Sequence, residues 1–304
     1  MLLYTHASCL AHDAGPGHPE SPSRLHAVLE ALSSDRFSAL DRIEAPRVSR
    51  EQLARVHASG LIDEVFTSAP QEGYVRLDPD TAMSAHSLEA AQRAAGAVCA
   101  AVDALIDDSC ARAFCAVRPP GHHATRDTAM GFCLFNNVAV GAAHALARGI
   151  ERVAIVDFDV HHGNGTQDIF WNDPRVLYAS THQWPLYPGT GRPEETGAGN
   201  IVNVPLPRGA AGAEFRAAFN GIILPRLRAF APQLLLISAG FDAHRLDPLA
   251  DLNLVADDYA WATRELVAVA HDTADGRVIS SLEGGYSLQA LRESVAAHVN
   301  ALLD

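Results

Sequence analysis

Four short segments concentrate the residue types that can do chemistry: 118–123 (RPPGHH), 157–165 (DFDVHHGNG), 239–244 (AGFDAH) and 283–286 (EGGY). Asp159 and His161 are two residues apart. In an extended chain such residues point to the same side, so both can reach one ion while Val160 turns away. Asp242 would add a third ligand from a separate segment. An isolated Asp-x-His reads most simply as a helix cap; the second aspartate, the adjacent His162 and the other three segments favour a metal. Two carboxylates and one imidazole leave a coordination position open, which marks catalytic rather than structural zinc. An ion held there lowers the pKa of a bound water towards about 7 and polarises a carbonyl oxygen. The ligand set suits zinc, and Fe(II) fits it too.

The remaining segments supply proton-transfer groups. His122 and His123 follow two stiffening prolines and a turn-permitting glycine. Adjacent histidines in such a turn can act as general base and electrostatic partner for a water molecule. Each needs an acceptor to fix its tautomer, and Asp157 and Asn164 flank the ligands as candidates. The phenol of Tyr286 can donate to an oxygen that turns negative in a tetrahedral intermediate, a donor whose loss costs on the order of 10²–10³ in rate. Gly-x-Ser-x-Gly, His-Glu-x-x-His and P-loop signatures are all absent. Cys133 reads as a small core residue.

These segments need a scaffold that brings them together. Apolar, β-branched runs at 1–5, 113–117, 152–156, 176–179, 201–204, 234–238 and 278–282 read as strands, several buried on both faces. Amphipathic stretches at 22–40, 84–106 (with Ser84 as N-cap), 131–148, 212–230, 256–272 and 287–303 read as helices. Alternation of the two implies a parallel sheet covered by helices on both sides. Each polar segment sits at the C-terminal end of a strand, where open parallel sheets bind ligands. No linker or repeat divides the chain, so residues 1–304 are expected to form one α/β domain of three layers.

Composition narrows the class. The 304 residues are 48% hydrophobic and 19% charged, enough apolar mass for a packed core. The net charge of −13 argues against a nucleic-acid partner, and there is no polybasic membrane patch. No apolar run reaches the roughly 18 residues needed to span a bilayer. The start MLLYTHASCL lacks a basic leader, and five cysteines without a Cys-x-x-Cys pair suit reduced thiols. A cytoplasmic location is the expectation.

Taken together, HPESPSRL, RPPGHHA, GFCLFNN, VDFDVHHGNGT, YPGTG, SAGFDAH, DPL and LEGGY make the chain resemble the histone deacetylase family, in its class II-like branch. The likeness runs from about His18 to the last helix. It implies the arginase–deacetylase fold, with a central, mainly parallel sheet of about eight strands, and a zinc-dependent amidohydrolase acting on acyl-lysine or acyl-polyamine substrates. Asp159, His161 and Asp242 resemble the zinc ligands. His123 matches the general base, His122 its electrostatic partner and a proton donor, and Tyr286 the carbonyl-polarising tyrosine. Asp157 resembles the carboxylate bound to the first histidine. Gly131 matches the residue whose carbonyl accepts the substrate amide; Phe132 and Tyr187 match the aromatic walls of the acyl-lysine tunnel. A structural potassium is implied at Asp157, Asp159, His161 and Ser180, partly through main-chain carbonyls.

Three departures affect selectivity. Asn164 stands where one branch has Asp, and being uncharged it lends His123 less basicity. Tyr187 replaces the usual phenylalanine. Leu249 replaces the glutamate of a polyamine-selective branch, which favours lysine-like substrates over strict polyamine selectivity. A small acylated-amine amidohydrolase remains the alternative, and a non-catalytic binding protein the weaker one. The Gly- and Pro-rich segment 182–200 is expected to wall the entrance, with His18, Glu20 and the region 78–86 on the rest of the rim.

Overall fold

The strands follow from runs of β-branched and aliphatic residues that lose both faces to the core. The computed structural model describes residues 1–304. Ten strands occur: β1 (Leu2–Thr5), β2 (Asp41–Glu44), β3 (Val75–Asp78), β4 (Thr81–Met83), β5 (Arg112–Cys115), β6 (Val153–Asp157), β7 (Val176–Trp184), β8 (Ile201–Pro207), β9 (Leu234–Ala239) and β10 (Val278–Leu282). Eight form one sheet in the order β2-β1-β5-β10-β9-β6-β7-β8, and every adjacent pair is parallel. β3 and β4 make a separate antiparallel hairpin.

β6, β9 and β10 are buried along their whole length, as central strands under two helical layers must be. Helices Ser87–Ile106 and Asn137–Ala147 pack together on one face, and Pro22–Ala31, Ala256–Thr273 and Leu288–Leu303 pack together on the other. The expected three-layer α/β architecture is the one found. No helix is long and apolar enough to cross a membrane.

Several boundaries differ from the sequence reading, each for a local reason. The long helix starts at Ser87, not Ser84: Ser84 is held by the hairpin end, and its N–H donates to Ser87 Oγ at 2.7 Å. The expected helix 131–148 starts only at Asn137, because Asn136 caps it by accepting from Ala139 N at 3.0 Å. Residues 131–136 are thereby left to shape the cavity described below. The stretch 212–230 is helical throughout but passes through a π turn at Phe219–Ile223. The stretch 22–40 is a helix only over Pro22–Ala31, followed by a 3-10 turn at Asp35–Phe37. β7 runs on to Trp184, so 182–184 belong to a strand and not to the loop. β2 was not foreseen: DRIE is exposed at all four positions, as suits the outer edge of a sheet.

Candidate active site

The tips of β5, β6, β9 and β10 lie side by side in the sheet, which brings the four polar segments to one edge. Asp157 is the last residue of β6, and Asp159 and His161 follow it. Asp242 follows β9. The ligating atoms of Asp159, His161 and Asp242 lie within 4.8 Å of one another. His161 Nδ1 is 3.1 Å from Asp159 Oδ1 and 3.3 Å from Asp242 Oδ2. The other oxygens are tied to the main chain: Asp242 Oδ1 accepts from Val160 N at 2.8 Å, and Asp159 Oδ2 from Gly284 N at 2.9 Å. Gly284 is required by close approach, since a Cβ there would stand 2.0 Å from Asp242 Oδ2.

This trio fits a divalent cation. Apart from His161 Nδ1 at 3.3 Å, the buried Asp242 Oδ2 has no hydrogen-bond partner, an arrangement that costs free energy unless a cation faces it. Burial and the neighbouring Asp159 push Asp242 up to about 7. Burial alone would lower His161, but the two carboxylates outweigh it and raise it to about 10. The bare trio thus retains protons that a metal would displace.

The two histidines differ in environment. His122 Nδ1 lies 3.0 Å from Asp157 Oδ2, which also accepts from Tyr178 OH at 3.0 Å. Burial would lower His122, but Asp159 and Asp157 prevail and raise it to about 10. His123 Nδ1 lies 2.8 Å from Asn164 Oδ1. Asn164 Nδ2 faces Met130 Sδ at 3.4 Å, which fixes the amide orientation and assigns the His123 proton to Nδ1. Burial, then the neighbouring His122 and His161, hold His123 well below 6.5, so it is neutral with a free Nε2. One ring is held charged and its neighbour neutral, as a base beside an electrostatic partner requires.

These groups open onto a cavity of about 190 Å³. Its walls include Phe132, Leu186, Tyr187 and Leu249, and His122, His123, His161 and Tyr286 reach it with Gly131 and Gly284. Phe132 adopts φ +69°, a left-handed conformation that costs a non-glycine residue about 1–3 kcal/mol. Gly131 before it has φ +57°, and a Cβ there would lie 2.5 Å from the His123 ring. The Phe132 ring meets Tyr286 edge-on at 5.9 Å, and Tyr187 meets His123 at 5.1 Å. Burial pushes the Tyr286 phenol well above 10 despite Arg24 nearby, so it is a proton donor at neutral pH. Ser180 is buried beside Asp157 in register, and its Oγ lies 2.9 Å from His182 Nδ1.

The rim partly departs from expectation. His18 stands edge-on to Phe132 at 4.6 Å. Of the region 78–86, Asp80 lines the cavity, and its Oδ1 accepts from Gly131 N at 3.1 Å. Leu186 and Tyr187 represent the expected wall loop. Glu20 is not on the rim at all. It is fully buried, with Arg118 on both oxygens at 2.5 and 2.6 Å, Arg24 at 3.0 Å and His12 at 3.2 Å. Two guanidinium groups without a carboxylate could not be buried there.

Burial would raise Glu20, but Arg118 and His12 overcome it and hold it well below 4.5. Its stabilisation is therefore complete above pH 4.5 and fades as pH falls towards the lowered folded value. Glu20→Gln is expected to cost about 3–5 kcal/mol at pH 7, because it strands buried arginines. Urea unfolding at pH 7 and again below pH 4 checks this; the gap to the wild type should narrow in acid.

Three further residues shape the site without having been singled out. Arg24 donates to Gly285 O at 2.6 Å and Glu283 O at 2.5 Å, and lies 4.8 Å from the Tyr286 ring centre. Asp247 Oδ2 accepts from Tyr286 N at 2.7 Å. Glu283 is wholly buried behind the His122–His123 turn. Arg24 and Glu283 stand inside quoted motifs, yet nothing local marks them as buried.

Comparison with known proteins agrees with this geometry. The histone deacetylase domain model matches residues 18–302. A probable deacetylase of Archaeoglobus fulgidus is 40% identical, over 93% of this chain and 80% of its own. A histone deacetylase-like amidohydrolase of Pseudomonas aeruginosa is 38% identical, over 92% and 80%. The crystal structure of the HDA15 HD domain superposes with a TM-score of 0.93 at 37% identity, covering 99% of this chain and 87% of that one. With that match in sequence and overall structure, the chain belongs to the histone deacetylase family of deacetylases and amidohydrolases and has its arginase–deacetylase fold.

Proposed function

We propose that the protein is a zinc-dependent deacylase that hydrolyses the amide of N-acetyl, or longer N-acyl, lysine-like substrates. The observation that carries this reading is the convergence of the Asp159–His161–Asp242 trio, the unlike histidines and Tyr286 at one aromatic-walled cavity. Zinc, or Fe(II) in its place, would supply Lewis-acid polarisation of the carbonyl and activation of a water. Phe132 and Tyr187 flank the methylene arm, Leu249 closes a third side, and the Gly131 carbonyl accepts the substrate N–H. Tyr286 donates its phenolic proton in a hydrogen bond to the acyl oxygen as negative charge grows there. Neutral His123 takes the proton of the attacking water at Nε2. His122, kept cationic against Asp157, stabilises the developing charge, and an imidazolium of the pair returns a proton to the leaving amine.

A structural potassium is proposed at Asp157, Asp159, His161 and Ser180, with Ser180 lying within β7 opposite Asp157, the last residue of β6. Five unpaired cysteines support a reducing, cytoplasmic location. The proposed partner is an acylated lysine or amine, with no nucleic acid and no membrane.

Asn164 offers a pH test. Asn164→Asp places a charge on His123 Nδ1 and favours the imidazolium. The acidic limb of kcat/KM is expected to move up by on the order of one pH unit; a pH–rate profile reads it directly.

A second reading, a small acylated-amine amidohydrolase, is favoured by Asp80, which sets a carboxylate in the cavity wall. A panel crossing acyl length with amine scaffold decides between them by amine release. Turnover of acetyl-lysine peptide above acetylated putrescine is expected; a peptide rate near zero would leave the second reading.

A further inference from the structure

Glu283 follows β10 and is fully buried, yet its carboxylate forms no ion pair with an arginine, and the chain has no lysine. Its Oε2 accepts from Gly121 N at 2.6 Å and from His122 N at 3.2 Å. Its Oε1 accepts from Ser238 Oγ at 3.3 Å, on β9. Its own main chain is fixed by Glu283 N donating to Ala239 O at 3.0 Å and by Arg24 donating to Glu283 O at 2.5 Å. The carboxylate therefore stands on a fixed base and reaches across to the turn that carries both histidines.

That turn has little else to hold its amides. The His122 carbonyl is taken from the far side by Gly165 N at 3.1 Å and Thr166 N at 3.2 Å. Gly121 is pressed against the next helix, where a Cβ would lie 2.4 Å from Asn137 N. The turn is thus pinned at its carbonyl by the segment after the metal ligands and at its amides by Glu283. Removing the carboxylate leaves two buried N–H groups that must find new partners by moving.

We infer that Glu283 is a positioning residue for the proposed hydrolysis: its carboxylate clamps the Gly121–His122 amides and so sets both imidazoles relative to the substrate carbonyl. The inference rests on the deacylase reading. It assigns Glu283 no contact with substrate. A displacement of about 1 Å in a catalytic group can cost on the order of 10² in rate, whereas binding of the substrate arm depends on other walls of the cavity.

Two variants of the zinc-loaded full chain separate geometry from charge. Glu283→Asp keeps the charge but draws the oxygens back by one methylene, out of reach of the amides. Glu283→Gln can keep one oxygen on the amides and turn its NH₂ to Ser238 Oγ. On an acetyl-lysine peptide, Glu283→Asp is expected to lower kcat by about 30- to 100-fold, with KM and zinc content within about threefold of wild type. Glu283→Gln should stay within about tenfold in kcat, with an unshifted pH profile. Wild-type kcat in Glu283→Asp would overturn the clamp. So would a loss in Glu283→Gln as deep as in Glu283→Asp, which would assign the effect to charge. A wild-type protein inactive on every acylated amine would instead refute the deacylase reading, and the crystallographic position of the 121–123 turn in Glu283→Asp would still test the clamp. A turn unmoved there overturns it.

Discussion

Asp242→Asn is expected to lower turnover of an acyl-lysine substrate by on the order of 10³-fold or more, since a bound metal contributes several kcal/mol to the transition state. The substitution is chosen to separate ligation from folding. Asp242 Oδ1 holds Val160 N at 2.8 Å, and an amide oxygen can keep that bond. The other oxygen is the buried atom that faces only His161 Nδ1, at 3.3 Å, and it becomes an uncharged NH₂ that cannot ligate. Thermal unfolding should therefore change little compared with the rate, while zinc per chain falls. Parallel measurement of kcat/KM and of metal content checks both halves. Wild-type turnover in Asp242→Asn would show that this carboxylate is not a ligand.

His123→Ala is the second large effect. A positioned base contributes about 10²–10⁴, and His123 is the ring whose surroundings keep it neutral. Its loss should lower kcat within that range while zinc content stays at the wild-type level, because His123 is not one of the three clustered ligands. The contrast with Asp242→Asn, where rate and metal fall together, distinguishes proton transfer from ligation. A loss below threefold would move the base to another group.

Much of the scaffold could be read from the chain because its central strands are mostly apolar runs. Burial on both faces favours apolar residues in β6, β9 and β10, with small serines at Ser238, Ser280 and Ser281 and the terminal Asp157 the exceptions. The site could be read because polar clusters follow those runs directly, so strand tips that neighbour in the sheet deliver them together. What stayed hidden depended on contacts between distant parts of the chain. Arg24 meets Gly285, 261 positions away, and Glu283 meets Gly121, 162 positions away. Charged side chains read as solvated unless a partner is known, so the sequence suggests the rim for Glu20, although it lies at the centre of a buried ion cluster. Asp80 falls only within a broad rim region, because it lies in the turn between β3 and β4 and nothing local shows that this hairpin packs at the cavity wall. Edge strand β2 escaped because its four residues face solvent and carry no alternation.

The measurement closest to the centre of this account is anomalous diffraction at the zinc edge, from crystals of the full chain grown with zinc. The account predicts one strong peak within ligand reach of the side chains of Asp159, His161 and Asp242. A peak elsewhere, with those three side chains bonded only to one another, would contradict it.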